Sequence, residues 1–382
     1  MNRIIYFCLL AMLGQSLLAA VQVYDSREDF SAGPSAPSGL WRYQYANDAN
    51  NTGPYTDLSN WAASTWQRAP WLSISASGGH PNQTEDFLRT FLAPAGGQYL
   101  VAGCVQAYGG NGSIFSITQG RAAGADSNVF SSVVSSGALP VGVLRKVVVA
   151  VPVSPSASQD QLHFRINCNG DLNNDSVTER YALCRVGVEE VPEAYTTTLA
   201  TAFGTGRPEV SGAGLGQLGD KDPAGYPVWF YQIGMPGDSS SFRLLPFWTA
   251  AGYYQVSDWC TVAGTWFHPG PTEDASAVVT YSMPYKRMSA SITFTAYPAA
   301  GSSDGVLVRI YLNDTLLSGC STNLLNGQVG TLGTNRVVMT TGDCLYVTIS
   351  PNASQNNDAT TLSITISGVA ISEGNGTVFA IR

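Results

Sequence analysis

The feature that most constrains this chain is that it is written twice. Trp41-Arg42-Tyr43-Gln44 returns as Trp229-Phe230-Tyr231-Gln232, about 188 residues later. Trp61 returns as Trp248 and Trp71 as Trp259, and His80-Pro81 and His268-Pro269 follow those last tryptophans at the same distance. Thr84-Glu85-Asp86 matches Thr272-Glu273-Asp274, Tyr108 matches Tyr297, and Asn173-Asn174-Asp175 matches Asn356-Asn357-Asp358. A repeat of this length is a whole domain, large enough to bury its own core, and not a solenoid unit. The expected organisation is a first copy over 21–191, a linker over 192–206 with its Thr-Thr-Thr and Gly-Thr-Gly, and a second copy over 207–382.

Within each copy the hydrophobic period is two. Gln98 to Tyr108, Leu144 to Val153, Gln161 to Asn167 and Tyr181 to Val188 alternate in copy one. Ser289 to Tyr297, Gly305 to Leu312, Cys344 to Ser350 and Thr361 to Ile371 do so in copy two. β-Branched and aromatic residues dominate these runs, and Gly and Pro punctuate them, which predicts short strands joined by turns. No run carries a helical stripe. The predicted fold class is all-β: two tandem jelly-roll-type antiparallel β-sandwich domains from an internal duplication, in short contact across the linker.

Tyr24-Asp25 through Phe30-Ser31, followed by Gly39-Leu40-Trp41-Arg42-Tyr43, resembles the opening of a β-sandwich module found in secreted, mostly bacterial, proteins. His268-Pro269-Gly270, Pro284 and the turn Ser303-Asp304-Gly305-Val306 resemble later parts of the same module. Such modules accompany polysaccharide-degrading enzymes and are similar in outline to jelly-roll carbohydrate-binding modules. This sequence departs from that setting, since no catalytic domain is expected within it, and the resemblance carries no ligand-binding residue over.

The first residues read as an export signal over 1–20: Arg3, an apolar stretch from Ile4 to Leu13, then Ala19 and Ala20. The expected location is secreted and extracellular, without membrane insertion. Cys104, Cys168, Cys184, Cys260, Cys320 and Cys344 then form an even set in an exported chain, the pattern of a disulfide framework, with Cys320 and Cys344 the local pair expected first. Three cysteines per half imply an inter-domain bridge, an inter-chain bridge or a free thiol in each half. Seven sequons, at Asn50, Asn82, Asn111, Asn174, Asn313, Asn352 and Asn375, mark candidate N-glycosylation sites. Lys plus Arg number 19 against 27 acidic residues, for a net charge of −8. That balance lacks the basic footprint of a nucleic-acid binder and the polybasic stretch of a protein held on anionic lipid.

Three clusters carry possible chemistry. His80 with Glu85 and Asp86, and its copy His268 with Glu273 and Asp274, pair an imidazole with carboxylates, as a general base or a metal site would. No nucleophile or further His or Cys ligand accompanies them, and a recurring His-Pro before a strand fits a structural corner. Asp171, Asn173 and Asp175 place oxygen side chains at alternate positions, the spacing of a possible structural calcium site or of an Asx-rich turn. No cofactor is otherwise required. Among the aromatic residues, Trp41, Trp61 and Trp71 belong to the repeated framework and are expected in the core. The unrepeated Trp66, Trp266, Tyr253 and Tyr254 are the candidates for stacking on sugar rings. Two functions follow. One is a non-enzymatic extracellular structural protein that associates with copies of itself; the other is a soluble carbohydrate-binding protein that presents an aromatic face to a polysaccharide.

Overall fold

A computed structural model describes residues 21–30, 40–47, 55–68, 71–82, 84–120, 126–137, 140–150, 160–170, 175–206, 214–252, 254–255, 260–299, 304–352 and 358–371. The predicted signal over 1–20 lies outside them. The described chain is almost wholly antiparallel β-structure and forms two tandem jelly-roll-type sandwiches. In copy one, the front sheet runs Val141–Val149, Gly97–Tyr108, Ser176–Val186, Gly78–His80, Leu72–Ile74, Thr65–Arg68, Asn60–Ala62, with Val23–Asp25 also paired to Ser176–Val186. Its back sheet runs Ser127–Val134, Ser113–Gly120, Gln161–Asn167, Glu85–Leu92, Trp41–Asn47, Tyr55–Asp57.

Copy two repeats this order with two added short strands, Gly214–Leu215 and Asp220–Lys221, and with Arg243–Leu244 in the place of Tyr55–Asp57. Its front sheet runs Gly330–Thr340, Arg287–Pro298, Thr360–Ala370, Trp266–His268, Thr261–Ala263, Tyr254–Gln255, Phe247–Trp248, Gly214–Leu215. Its back sheet runs Thr315–Leu324, Val306–Leu312, Cys344–Pro351, Ser276–Ser282, Pro227–Gly234, Asp220–Lys221. The repeated Trp-x-Tyr-Gln motif sits on the same strand in each: Trp41 pairs with Phe91, and Trp229 with Tyr281.

The stretch expected as a linker is built into the second sandwich. Tyr195–Thr198 is a strand on Thr360–Ala370, and one helical turn, Leu199–Ala202, follows. Tyr195 and Leu199 are buried in the second core. The threonines that read as spacer are β-branched residues at home in a strand, and Thr197 receives the indole N–H of Trp229 at 3.0 Å.

Each sandwich closes on its own core, one around Tyr43, Trp66, Phe87, Phe164 and Tyr181, the other around Trp229, Tyr231, Phe294, Ile310 and Ile364. A third, smaller apolar cluster joins the two. Leu100, Ala102 and Val186, on the outer face of the front sheet of copy one, pack against Phe230 and Leu244 on the outer face of the back sheet of copy two. Gly142 permits the approach, since a Cβ there would stand 2.5 Å from the Leu244 carbonyl. Gly187 N donates to Pro284 O at 2.7 Å, and Lys286 N to Glu189 O at 3.1 Å, across the same seam.

Candidate recognition site

The repeated histidines hold corners. His80 Nδ1 donates to the carbonyl of Pro81 at 2.6 Å, and His268 Nδ1 to that of Pro269 at 2.7 Å, the same contact in both copies. Each ends a short front-sheet strand, Gly78–His80 and Trp266–His268, paired at Ser73 and Thr261.

The carboxylates that follow do not complete a site. In copy one, Glu85 and Asp86 begin a back-sheet strand, where Glu85 takes Arg68 at 2.8 Å and Asp86 takes Arg165 and Asn167. In copy two the motif stands two residues earlier relative to the register of the strand. Arg89 lies opposite Tyr43 while Val279 lies opposite Tyr231, so Glu85 corresponds to Ala275 and Asp86 to Ser276. Glu273 and Asp274 instead occupy an exposed 3-10 turn, Glu273 held by Arg309 at 2.7 Å. The Thr-Glu-Asp match is one of sequence alone.

The third histidine, unassigned in the sequence, sits in the most developed polar network of copy one. His163 Nδ1 donates to Thr90 Oγ1 at 2.9 Å, Thr90 donates to Gln44 Oε1 at 2.6 Å, and Gln44 Nε2 donates to Asp57 Oδ1 at 2.8 Å. The Tyr55 ring lies 4.3 Å from the imidazole and its hydroxyl donates to Asp126. Burial pushes the His163 pKa down to about 4, against the opposing pull of Asp126, so the ring is neutral at physiological pH. Copy two keeps the Thr280-to-Gln232 bond of this relay and replaces the histidine by Tyr346. The signal for it was the Gln that closes both Trp-x-Tyr-Gln motifs. Its bonds run within the fold, which makes it a structural relay.

The aromatic residues separate into two groups. Trp66 and Tyr254, expected as platforms, are in the core, 0% and 1% exposed. They are structural equivalents: Trp61 lies opposite Trp66, Trp248 opposite Tyr254, and Tyr43 and Tyr231 pack beneath at 6.2 and 5.2 Å. The position is repeated although the residue is not. Trp71, expected in the core, is 67% exposed; Tyr253 and Trp259 lie outside the described residues.

Trp266 remains, and it has company. It is 38% exposed and lies directly opposite Thr361, which lies directly opposite Tyr297, itself 40% exposed. The three side chains therefore share the outer face of the front sheet of copy two, two aromatics flanking a threonine. The ring of His268, fixed by Pro269, stands 6.0 Å from the Trp266 ring. Behind this row the face continues as hydroxyls: Ser363 opposite Thr295, Thr365 opposite Thr293, Ser367 opposite Ser291. In copy one the place of Trp266 is taken by Gly78, where a Cβ would stand 1.9 Å from the Val177 carbonyl. The aromatic row thus belongs to copy two.

The disulfide expected first, Cys320 with Cys344, is not formed. Cys104, Cys184, Cys320 and Cys344 carry free thiols. Cys320 and Cys344 lie on strands Thr315–Leu324 and Cys344–Pro351, separated by Val306–Leu312. Two strand spacings, about 9.6 Å, exceed the Cα separation a disulfide spans. Burial pushes the Cys184 thiol up to about 12 and holds it protonated. Cys168 and Cys260 are buried, one in each copy. Of the sequons, Asn111, Asn313 and Asn352 are exposed. Asn82 is only 9% exposed and its amide donates to Glu85 at 3.4 Å, so it is closed to a glycan in the folded chain. Asn50, Asn174 and Asn375 lie outside the described residues. So do Asp171 and Asn173 of the calcium motif; Asp175 and its counterpart Asp358 are both buried at the entry to the last strand of their copy. Among the described residues no three His, Cys, Asp or Glu side chains group as metal ligands, and no helix is long and apolar enough to cross a membrane.

No protein-family profile matches the chain, and no curated protein does. Solved structures match over most of its length at very low identity. One is a tandem CBM22-1–CBM22-2 domain from Paenibacillus barcinonensis Xyn10C, at 10% identity over 92% of this chain and 99% of that one, with a TM-score of 0.24. A triple jelly-roll protein of an archaeal virus turret matches at 8% identity over 90% and 68%, with a TM-score of 0.22. PNGF-II matches at 8% over 87% and 66%, with a TM-score of 0.22. Scores of this size carry neither family membership nor residue correspondence.

Proposed function

We propose that this chain is a non-catalytic, extracellular recognition protein that binds carbohydrate on the outer front face of its second sandwich. The observation that carries this reading is the row Trp266–Thr361–Tyr297. Two exposed aromatic side chains, two strands and so about 9.6 Å apart, offer apolar ring faces to the C–H faces of successive sugars, while the hydroxyl between them can donate and accept. The strands Arg287–Pro298 and Thr360–Ala370 beneath are buried on their other side in the core, which fixes the spacing of the two rings.

The test is affinity electrophoresis and depletion binding of the full chain against a panel of neutral polysaccharides, with Trp266→Ala and Tyr297→Ala. Each replacement removes a surface ring and should leave stability within about 0.5 kcal/mol. Each should weaken binding tenfold or more, about 1.4 kcal/mol. A panel with no ligand, or a ligand bound equally well by both variants, ends the reading.

A further inference from the structure

Resting on that reading, we infer that the ligand is an ordered array of neighbouring glycan chains, a fibre or crystalline polysaccharide, and not a single soluble chain. The argument lies in the shape and chemistry of the face behind the aromatic row.

A site for one chain is a groove, with polar groups converging on the ligand from its walls. Here the face is one side of a sheet. Its rows continue behind the aromatic pair in unbroken pairing, Thr295 with Ser363, Thr293 with Thr365, Ser291 with Ser367. The first of these rows extends to Thr331 on one neighbouring strand, and the last two extend to Thr198 and Thr196 on the other. The hydroxyls form a grid, about 4.8 Å between strands and about 6.8 Å between successive rows. Every member is both donor and acceptor, and none is charged. A single chain lying along the aromatic row leaves the other rows in water. A flat array of chains meets all of them.

The grid is not what this face of the fold requires. On the front sheet of copy one the corresponding outer face carries Leu100, Ala102 and Val186, and copy two covers it. Where this face meets protein it is apolar; where it is open the three rows behind the aromatic pair are hydroxylated, and only the row after them, Val338–Ser289–Val369, brings in aliphatic side chains. Solubility alone would be met by charged side chains, the ordinary way to keep an exposed sheet face from pairing with another. The nearest charges on these strands stand at the margin, Arg287 beyond the last hydroxyl row and Arg336 in the bulge on the strand beside Ser291.

The experiment measures depletion isotherms of the full chain on microcrystalline cellulose and crystalline chitin, with and without soluble oligosaccharides of the same linkage as competitors. The variants are Trp266→Ala, in the aromatic row, and the pair Thr293→Lys and Thr365→Lys in the hydroxyl grid, with circular dichroism and melting to confirm the fold. The expected result is binding to a crystalline solid, not displaced by the soluble oligosaccharide, and weakened tenfold or more by either kind of variant. If soluble oligosaccharide competes fully, or the lysine pair binds as tightly as the parent, the aromatic row alone is the site: the array is wrong and the recognition reading stands. If Trp266→Ala changes nothing, or no carbohydrate binds in either form, both fall together.

Discussion

The core of the first sandwich contains a charge that the second does without, and replacing it tests the structural logic of the duplication. Arg89 and Glu179 form an ion pair with both side chains at 0% exposure, and the Tyr181 hydroxyl donates to the same carboxylate. The guanidinium also reaches the Ser26 carbonyl at 3.5 Å and that of Ser75. By register, the residue in the place of Arg89 in copy two is Val279. The same sandwich position therefore accepts an aliphatic side chain when no carboxylate faces it. Arg89→Val in copy one leaves Glu179 buried without its counter-charge, which costs about 3–5 kcal/mol. For a domain of this size that is roughly 6–20 °C of melting temperature at about 2–4 °C per kcal/mol.

The second variant separates charge from packing. Arg89→Val with Glu179→Gln removes the uncompensated charge but keeps an acceptor for Tyr181, so more than half of the lost stability should return. Acidification should act likewise on the single variant, because a stranded carboxyl takes up a proton and ceases to be a buried charge. The assay is calorimetry, with hydrogen exchange of peptides covering residues 85–92 and 176–186 to assign the affected transition to the first sandwich. A cost below about 1 kcal/mol for Arg89→Val, or no recovery in the double variant, would refute the reasoning.

The two sandwiches should also respond oppositely to pH. His163 is neutral and buried, with its pKa pushed down to about 4 from 6.5, so on acidification from about 6.5 to 4 the unfolded chain gains a proton that the fold refuses, and copy one loses about 3 kcal/mol. Asp220 is pushed up to about 6 from 3.8 by burial, despite the hydroxyl of Tyr231 and the amides of Gly204 and Gly206. Copy two therefore gains about 3 kcal/mol as pH falls from about 6 to 4, because the fold holds a proton there that the unfolded chain has lost. Calorimetry at pH 7 and pH 4.5 should show the first-sandwich transition fall and the second rise; His163→Gln and Asp220→Asn should each flatten its own trend, and parallel shifts would contradict the assignment. Alkylation of the denatured, unreduced chain followed by peptide mapping should label Cys104, Cys184, Cys320 and Cys344; a cystine among these four would overturn the free-thiol description.

The parts of the fold that could be read in the sequence are those in which one face of a strand differs from the other. Arg287–Pro298 and Thr360–Ala370 alternate because one side is core and the other open, and their boundaries are those expected within two residues. Glu85–Leu92 is buried on both faces over nearly its whole length, so it shows no alternation and its charges read as a site. The platform residues were misjudged for a related reason. Trp66 and Tyr254 occupy one conserved position with different aromatics, and a comparison of identities scores that as unrepeated. Tyr297 failed in the opposite sense: it matches Tyr108, which is also exposed, and so looked like framework. The register opposite Thr361, which turns Tyr297 and Trp266 into a pair, is a property of three strands from distant parts of the chain. The cysteine count misled because parity says nothing of the strand that lies between Cys320 and Cys344.

The seam bears on the other function the sequence suggested, association with further copies. Within the chain the contact is directional: the front outer face of one sandwich receives the back outer face of the next. Repeating that contact between chains would place the front of copy two against the back of copy one. Neither surface is suited to it. The front of copy two offers Ser289, between Val338 and Val369, and Ser291 where the front of copy one offers Leu100 and Ala102, and the hydroxyls of Thr293, Thr365 and Ser363 lie in the next rows. The back of copy one carries Arg42 and Asp57 where the back of copy two offers Phe230 and Leu244. Burying hydroxyls against these charged side chains would desolvate both. On this reasoning we expect the adhesive contact to be used once, within the chain. Sedimentation at increasing concentration should show the single chain; a concentration-dependent series of oligomers abolished by Phe230→Asp, without loss of either sandwich, would show that the seam contact also propagates between chains.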